Sequence, residues 1–233
     1  MFSRLHHQQI HKVLSSLNSA LLSEAKCYFG GGTAIALLLG EYRESVDIDF
    51  LCSDRDGYRL LRNALAPPKL GKVVTTSVTY LREVRMQRDK VSTLLDVEGA
   101  KIRLEFVLEG RIEISGEDNA ALGVPVLSRS DMYAEKLLAN ADRGLDRSAA
   151  ARDMIDLAMM IDAWGPIPQV SVDKVDAVYG ESIYRSFDQV LGTLQIGDYL
   201  SECLKAMKMG EQTGPHILKV LENNKPKRAK RRI

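Results

Sequence analysis

Phe29-Gly30-Gly31-Gly32-Thr33-Ala34-Ile35-Ala36-Leu37-Leu38-Leu39-Gly40-Glu41-Tyr42-Arg43-Glu44-Ser45-Val46-Asp47-Ile48-Asp49-Phe50-Leu51 is the stretch from which the rest of the chain can be read. A short apolar strand, Cys27 to Phe29, runs into three glycines and a helix of small and apolar residues. A second strand then alternates Val46, Ile48 and Phe50 with Asp47 and Asp49. Side chains two apart on a strand share a face, so the two carboxylates are expected to face solvent together while Val46, Ile48 and Phe50 face a core. Like charges at that spacing repel and raise each other's pKa unless a cation lies between them, and all-oxygen ligation suits Mg²⁺. Glycines let the backbone turn sharply and approach a ligand, and the helix behind them offers unpaired N–H groups and its positive dipole end to a phosphate. The stretch therefore predicts a seat for a polyphosphate beside a seat for its metal. A glycine turn followed by an acidic, solvated strand is the plainer reading, but it leaves the order of glycines, helix and paired acids unexplained.

Composition sets the bounds. A chain of 233 residues can bury a substantial core as one large domain or two small ones. No run of about 18 apolar residues suggests a membrane span, and the start of the chain, with Arg4, His6, His7, Gln8 and Gln9, does not read as a signal peptide. A cytoplasmic protein is expected. Cys27, Cys52 and Cys203 are odd in number and far apart, which favours buried free thiols over disulfide, redox or metal chemistry. The histidines, His6, His7, His11 and His216, show no metal-ligand spacing, and the first three read as a solvated helix face. Net charge is +1, but Lys225, Lys227, Arg228, Lys230, Arg231 and Arg232 are all basic, and removing those six leaves −5. The basic end is expected to be disordered, either adding affinity for RNA phosphates or only aiding solubility.

Outward from the opening stretch, Leu5, Ile10, Val13, Leu14, Leu17 and Leu21 suggest one amphipathic helix with Ser3 as N-cap. A second helix around Tyr58 to Leu65 must end at Pro67-Pro68. Residues 73–81, 91–97, 101–108 and 111–114 read as short strands, with turns at Gly99 and Gly110. Beyond them helices follow one another: one capped by Ser130, one from Ser148 to Trp164 stopped by Gly165-Pro166, and further runs from Ser171, Glu181 and Asp198 and around Ile217 to Leu221. The expected fold class is α+β: a mixed sheet core over 1–128, a helical bundle over 129–222 that completes a cleft, and a basic tail over 223–233.

The order of Gly31-Gly32-Thr33-Ala34, then Arg43-x-Ser45-x-Asp47-x-Asp49-Phe50, resembles the polymerase-β-like nucleotidyltransferase superfamily and, within it, the AbiEii/AbiGii family of toxins from toxin–antitoxin pairs. The resemblance covers about residues 26 to 160. It implies transfer of an NMP from an NTP to an acceptor hydroxyl with release of pyrophosphate, with Mg²⁺ or Mn²⁺ as cofactor. Asp47 and Asp49 would hold one ion; a second, shared with a third carboxylate, would activate the acceptor. That third acid would come from a strand beside Asp47 and Asp49. Glu105 is the candidate, with Asp96 as alternative and simple pairing of Glu105 with Arg103 or a neighbour as the plain reading. Gly31, Gly32, Thr33, Arg43 and Ser45 would serve the nucleotide, with either the Thr33 hydroxyl or backbone N–H groups alone standing in for the serine that many relatives carry in the turn.

The resemblance also implies that Lys136 and the string Arg152-Asp153-x-x-Asp156-Leu157 line the nucleotide cleft. A lysine suits a triphosphate, and Asp153 and Asp156 share a helical face from which they could position Lys136 or Arg143. An interhelical salt-bridge set that only orients the bundle is the competing reading. The implied acceptor is RNA, at the 3′ end of tRNA, and the implied partner a cognate antitoxin. A small-molecule or protein hydroxyl as acceptor, or a catalytically silent binding module, remain the alternatives.

Overall fold

Three phenylalanines at one register show how the glycine–acid stretch folds. In the computed structural model, which describes residues 2–229, strands β1 (Tyr28–Gly30) and β2 (Asp47–Cys52) run antiparallel with Phe29 opposite Phe50. Strand β2 pairs in parallel with a later strand, Ala100–Leu108, placing Phe50 beside Phe106. Ring centroids lie 5.5 Å apart for Phe29 and Phe50 and 5.3 Å for Phe50 and Phe106, and all three side chains are fully buried. Each such ring contributes roughly 1.5–3 kcal/mol of transfer free energy. Because the strand period is two, burying this row turns the intervening residues, Asp49 and Glu105 among them, to the opposite face.

The chain divides after Ser128 into two units. The first contains a mixed seven-stranded sheet in the order β3-β4-β5-β2-β1-β7-β6, with β3 Thr79–Met86, β4 Lys90–Val97, β5 Ala100–Leu108, β6 Gly116–Asn119 and β7 Val124–Leu127. Helices α1 (Leu5–Ser16), α2 (Ser19–Glu24), α3 (Gly31–Leu38) and α4 (Arg55–Ala64) complete it. The second unit is helical: α5 Arg129–Arg143, α6 Arg152–Trp164, α7 Gln169–Tyr179, α8 Ser182–Leu194, α9 Tyr199–Ala206 and α10 Gly214–Asn223. This is an α+β chain, as expected. Among the described residues no helix is long and apolar enough to cross a membrane, and the three cysteines are buried and free.

Several expectations need correction. The first helix is two helices, because Asn18 caps a new one by accepting the Leu21 N–H at 3.1 Å. Ser3 caps nothing there; its N–H and hydroxyl donate to the Glu41 carboxylate at 2.6 and 2.7 Å. Leu5 and Val46 are exposed, not core residues. The strand expected from residue 73 begins at Thr79, after a turn of 3-10 helix at Gly71–Val73. Residues 111–114 form no strand; the Arg111 N–H and guanidinium instead fold back on Glu109. Strands β6 and β7 went unforeseen.

In the helical unit, Ser130 lies inside the first turn of α5, not at its cap. Helix α6 starts at Arg152 rather than Ser148, since Ala150 and Ala151 take positive φ values of 50° and 46°. Gly165, at φ 97°, does end it. The described part of the basic end is also tied down, Lys225 to Asp188 at 2.7 Å and Arg228 to Asp176 and Glu181. Lys230, Arg231 and Arg232 lie outside the described residues.

Candidate active site

Strand register assembles the acids. Asp49 faces Gly30 on β1 and Glu105 on β5, while Asp47 faces Arg103. Asp47, Asp49 and Glu105 thus fall at alternate positions on the sheet face opposite the phenylalanine row. All three retain partial exposure. Asp96, the alternative third acid, pairs in register with Lys101 at the far end of the hairpin, where its carboxylate caps the Gly99 N–H at 2.8 Å. Two cations moderate the acids: Arg103 Nε stands 3.5 Å from Asp47, and Lys90 Nζ 3.2 Å from Glu105, with Arg103 4.0 Å from Glu105. The plain pairing of Glu105 is therefore present as well. Among the described residues no group of three His, Cys, Asp or Glu side chains forms a ready-made metal cage. The acids nevertheless make an all-oxygen donor set on one face, the chemistry a hard cation requires.

The glycines meet these acids directly. Gly31 opens α3 at φ +67°, and a β-carbon placed there would lie 2.7 Å from Asp49 Oδ2. Only glycine suits both demands. The first N–H groups of α3, which have no partner within the helix, begin at this point.

Behind the turn runs a hydrogen-bonded chain that sequence reasoning missed. Thr33 is buried, with its hydroxyl on the Asp47 carbonyl oxygen and 2.7 Å from the Ser45 hydroxyl. A carbonyl can only accept, so Thr33 gives its one proton there and Ser45 donates to Thr33. The Ser45 N–H donates to His7 Nε2 at 3.2 Å, and His7 Nδ1 donates to Glu41 at 2.8 Å. His7 is fully buried rather than on a solvated helix face. Burial lowers its pKa, although Glu41 opposes the shift. The neutral Nδ1–H tautomer is the form these partners accept, because a proton on Nε2 would face the Ser45 N–H. Burial raises the Glu41 pKa, but bonds from Ser3, Arg4 and His7 outweigh it and hold the carboxyl at about 2. The signal was readable: His7 falls three and seven residues before the buried Ile10 and Leu14.

Other expected nucleotide ligands are turned inward. Arg43 is buried, donating to the Glu44 carbonyl oxygen at 3.0 Å with its guanidinium 5.9 Å from the Tyr42 ring. In the helical unit Lys136 bridges Asp153 at 2.8 Å and Asp156 at 2.6 Å, all three buried, and Arg143 adds a bond to Asp153 at 2.7 Å. Burial pushes the Asp153 carboxyl up, yet Lys136 and Arg143 prevail and keep it well below the usual range. The ammonium of Lys136, expected to serve a triphosphate, is enclosed between two carboxylates, the interhelical pairing that was the competing reading.

The model for the AbiEii nucleotidyl transferase toxin of type IV toxin–antitoxin systems matches residues 12–220. Similar solved structures include a candidate nucleotidyltransferase from H. pylori, at 14% identity and TM-score 0.49, covering 94% of this chain and 93% of that one. JHP933 from Helicobacter pylori is similar at 14% identity and TM-score 0.45, covering 96% of each chain. An antigenic nucleotidyltransferase-like protein from Paracoccidioides brasiliensis is similar at 16% identity and TM-score 0.49, covering 91% of this chain and 97% of that one. A comparison with curated proteins finds no match. By the family match over most of its length, the chain belongs to the AbiEii family of toxin–antitoxin nucleotidyl transferases and is a nucleotidyltransferase.

Proposed function

We propose that the enzyme moves an NMP from an NTP to an RNA hydroxyl, at the 3′ end of tRNA, in a reaction that depends on a divalent cation and blocks translation in the cytoplasm. The observation that carries the site is the register that aligns Asp49 with Gly30 and Glu105 while Gly31 closes on Asp49. Family membership supports the toxin role and implies a cognate antitoxin.

In this reading Gly31 and Gly32 give backbone N–H groups to the phosphates. Thr33, Ser45, His7 and Glu41 hold the turn and the start of β2 in register. Arg103 and Lys90 neutralise the like charges of Asp47 and Glu105 before substrate arrives. Mg²⁺ or Mn²⁺ held by Asp47, Asp49 and Glu105 would neutralise triphosphate charge and lower the pKa of the acceptor hydroxyl. The acceptor oxygen bonds to the α-phosphorus, the bond from that phosphorus to the bridging oxygen breaks, and pyrophosphate leaves as the hydroxyl gives up its proton. Lys136, Asp153 and Asp156 fix the α5–α6 pair and touch no reacting atom.

Each of the four NTPs, labelled at the α-phosphate, is to be incubated with the enzyme, total RNA and protein extract. Label is expected in an RNA of tRNA size with one NTP preferred. Label confined to protein or to small molecules would overturn the RNA reading.

A further inference from the structure

A second concentration of charge lies at the other end of the strands that carry the acids. From Asp49 to Cys52, where β2 ends beside Leu108 of β5, is three residues, roughly 10 Å. There α4 and the β3–β4 turn enclose a cavity of about 300 Å³ whose lining includes Arg55, Tyr58, Arg59, Arg62, Arg88 and Asp89. Arg55, Arg59 and Arg62 are spaced four and three residues apart, on one face of α4.

The partners these arginines have are weak or uncharged. Arg59 lies 3.1 Å from Asp56 and Arg88 3.8 Å from Asp89, with every one of these side chains at least 63% exposed. Ion pairs this exposed contribute little and exchange readily for another anion. Arg62 donates through Nη1 to the carbonyl oxygens of Gln87 and Arg88. Among the described residues neither Arg55 nor Arg62 has a carboxylate at ion-pair distance. Two acids against four arginines leave the pocket basic inside a chain whose net charge is only +1.

The spread of the charges indicates what they meet. Arg55 and Arg62 are separated by roughly 10 Å along the helix axis, too far to converge on one anion but suited to successive phosphates of a strand. Tyr58 is buried with the Arg62 guanidinium 5.8 Å from its ring, so the pocket presents no exposed ring for a base to stack on. That favours recognition of backbone over sequence.

We propose that this arginine pocket binds the phosphate backbone of RNA at a distance from the reacting hydroxyl. The proposal deepens the reading of RNA as acceptor and rests on it. Filter binding of end-labelled bulk tRNA by the full chain, across a salt series, tests it. Three phosphate contacts predict that the triple variant Arg55→Ala/Arg59→Ala/Arg88→Ala shows a log Kd against log salt slope shallower by roughly two to three, because each contact releases about 0.7–0.9 counterions. At low salt its affinity should fall at least tenfold. The replaced side chains are solvent-facing, so an unchanged thermal midpoint is the folding control. Unchanged slope and affinity would overturn the proposal, as would loss of inorganic phosphate binding with tRNA binding intact. Arginine-dependent tRNA binding without any RNA labelling from NTP would uphold the pocket and overturn the acceptor reading. Equal RNA labelling by parent and triple variant at subsaturating RNA would do the reverse.

Discussion

Two sets of charged residues, Asp47-Asp49-Glu105 on the sheet and Lys136-Asp153-Asp156 on the helices, read alike in the sequence and stand in opposite environments. The first three lie on a partly exposed sheet face at adjoining registers, approached by a glycine that has no side chain to keep a ligand away. The second three are buried and satisfied by one another at 2.6 to 2.8 Å. Carboxylates that a strand turns towards water can exchange their partners for substrate. Charges sealed between helices cannot do so without a large desolvation cost. Residue type suggests chemistry, and exposure decides whether it is available.

The comparison breaks first if the exposed acids prove dispensable. Asp47→Ala or Asp49→Ala should lower transfer by on the order of a thousandfold or more, since each removes several kcal/mol of transition-state charge stabilisation. Thermal midpoints should change little in these variants, and producing the Asp49→Ala form in cells should be harmless where the parent slows growth. The mirror-image variant is Lys136→Ala. Removing the buried cation that bridges two buried carboxylates should cost about 3–5 kcal/mol of stability by denaturant titration. NTP affinity in the protein that stays folded should be unchanged; a loss of affinity with stability intact would return Lys136 to the nucleotide site.

Gly31→Ala sits between the two. Its backbone strain and its clash with Asp49 should cost about 1–3 kcal/mol and reduce transfer as well.

Smallest is the effect of pH. His7 has its pKa lowered by folding, so the unfolded chain takes up protons first and stability should be full above its unfolded pKa of about 6.5 and decline as pH falls through it. Glu41, held at about 2, adds a further loss only below about 4.5. His7→Gln should flatten the decline in midpoint between pH 7 and pH 5, and a slope equal to the parent's would remove His7 from the account.

Much of the candidate site's sheet face was legible because period two and the phenylalanines leave Asp47, Asp49 and Glu105 a single face. The pairing that completes the sheet was not. Val124-Pro125-Val126-Leu127 is four residues long and buried throughout, so it shows no alternation to mark it as a strand. Val46 lies outside the strand that its apolar side chain seemed to extend. His7 was read as solvated because its partners, Glu41 and Ser45, are 34 and 38 residues away. Lys225 and Arg228 find acids on α7 and α8 and near their junction, a tertiary outcome that a run of basic residues does not announce.

The central claim is that Asp47, Asp49 and Glu105 carry nucleotidyl transfer. Its most direct test is release of labelled pyrophosphate from γ-labelled NTP, paired with transfer of label from α-labelled NTP to total RNA, with parent, Asp49→Ala and Glu105→Ala measured side by side under saturating Mg²⁺. The account predicts stoichiometric pyrophosphate and labelled RNA from the parent and neither above background from the two folded variants. Undiminished transfer by either variant would contradict it.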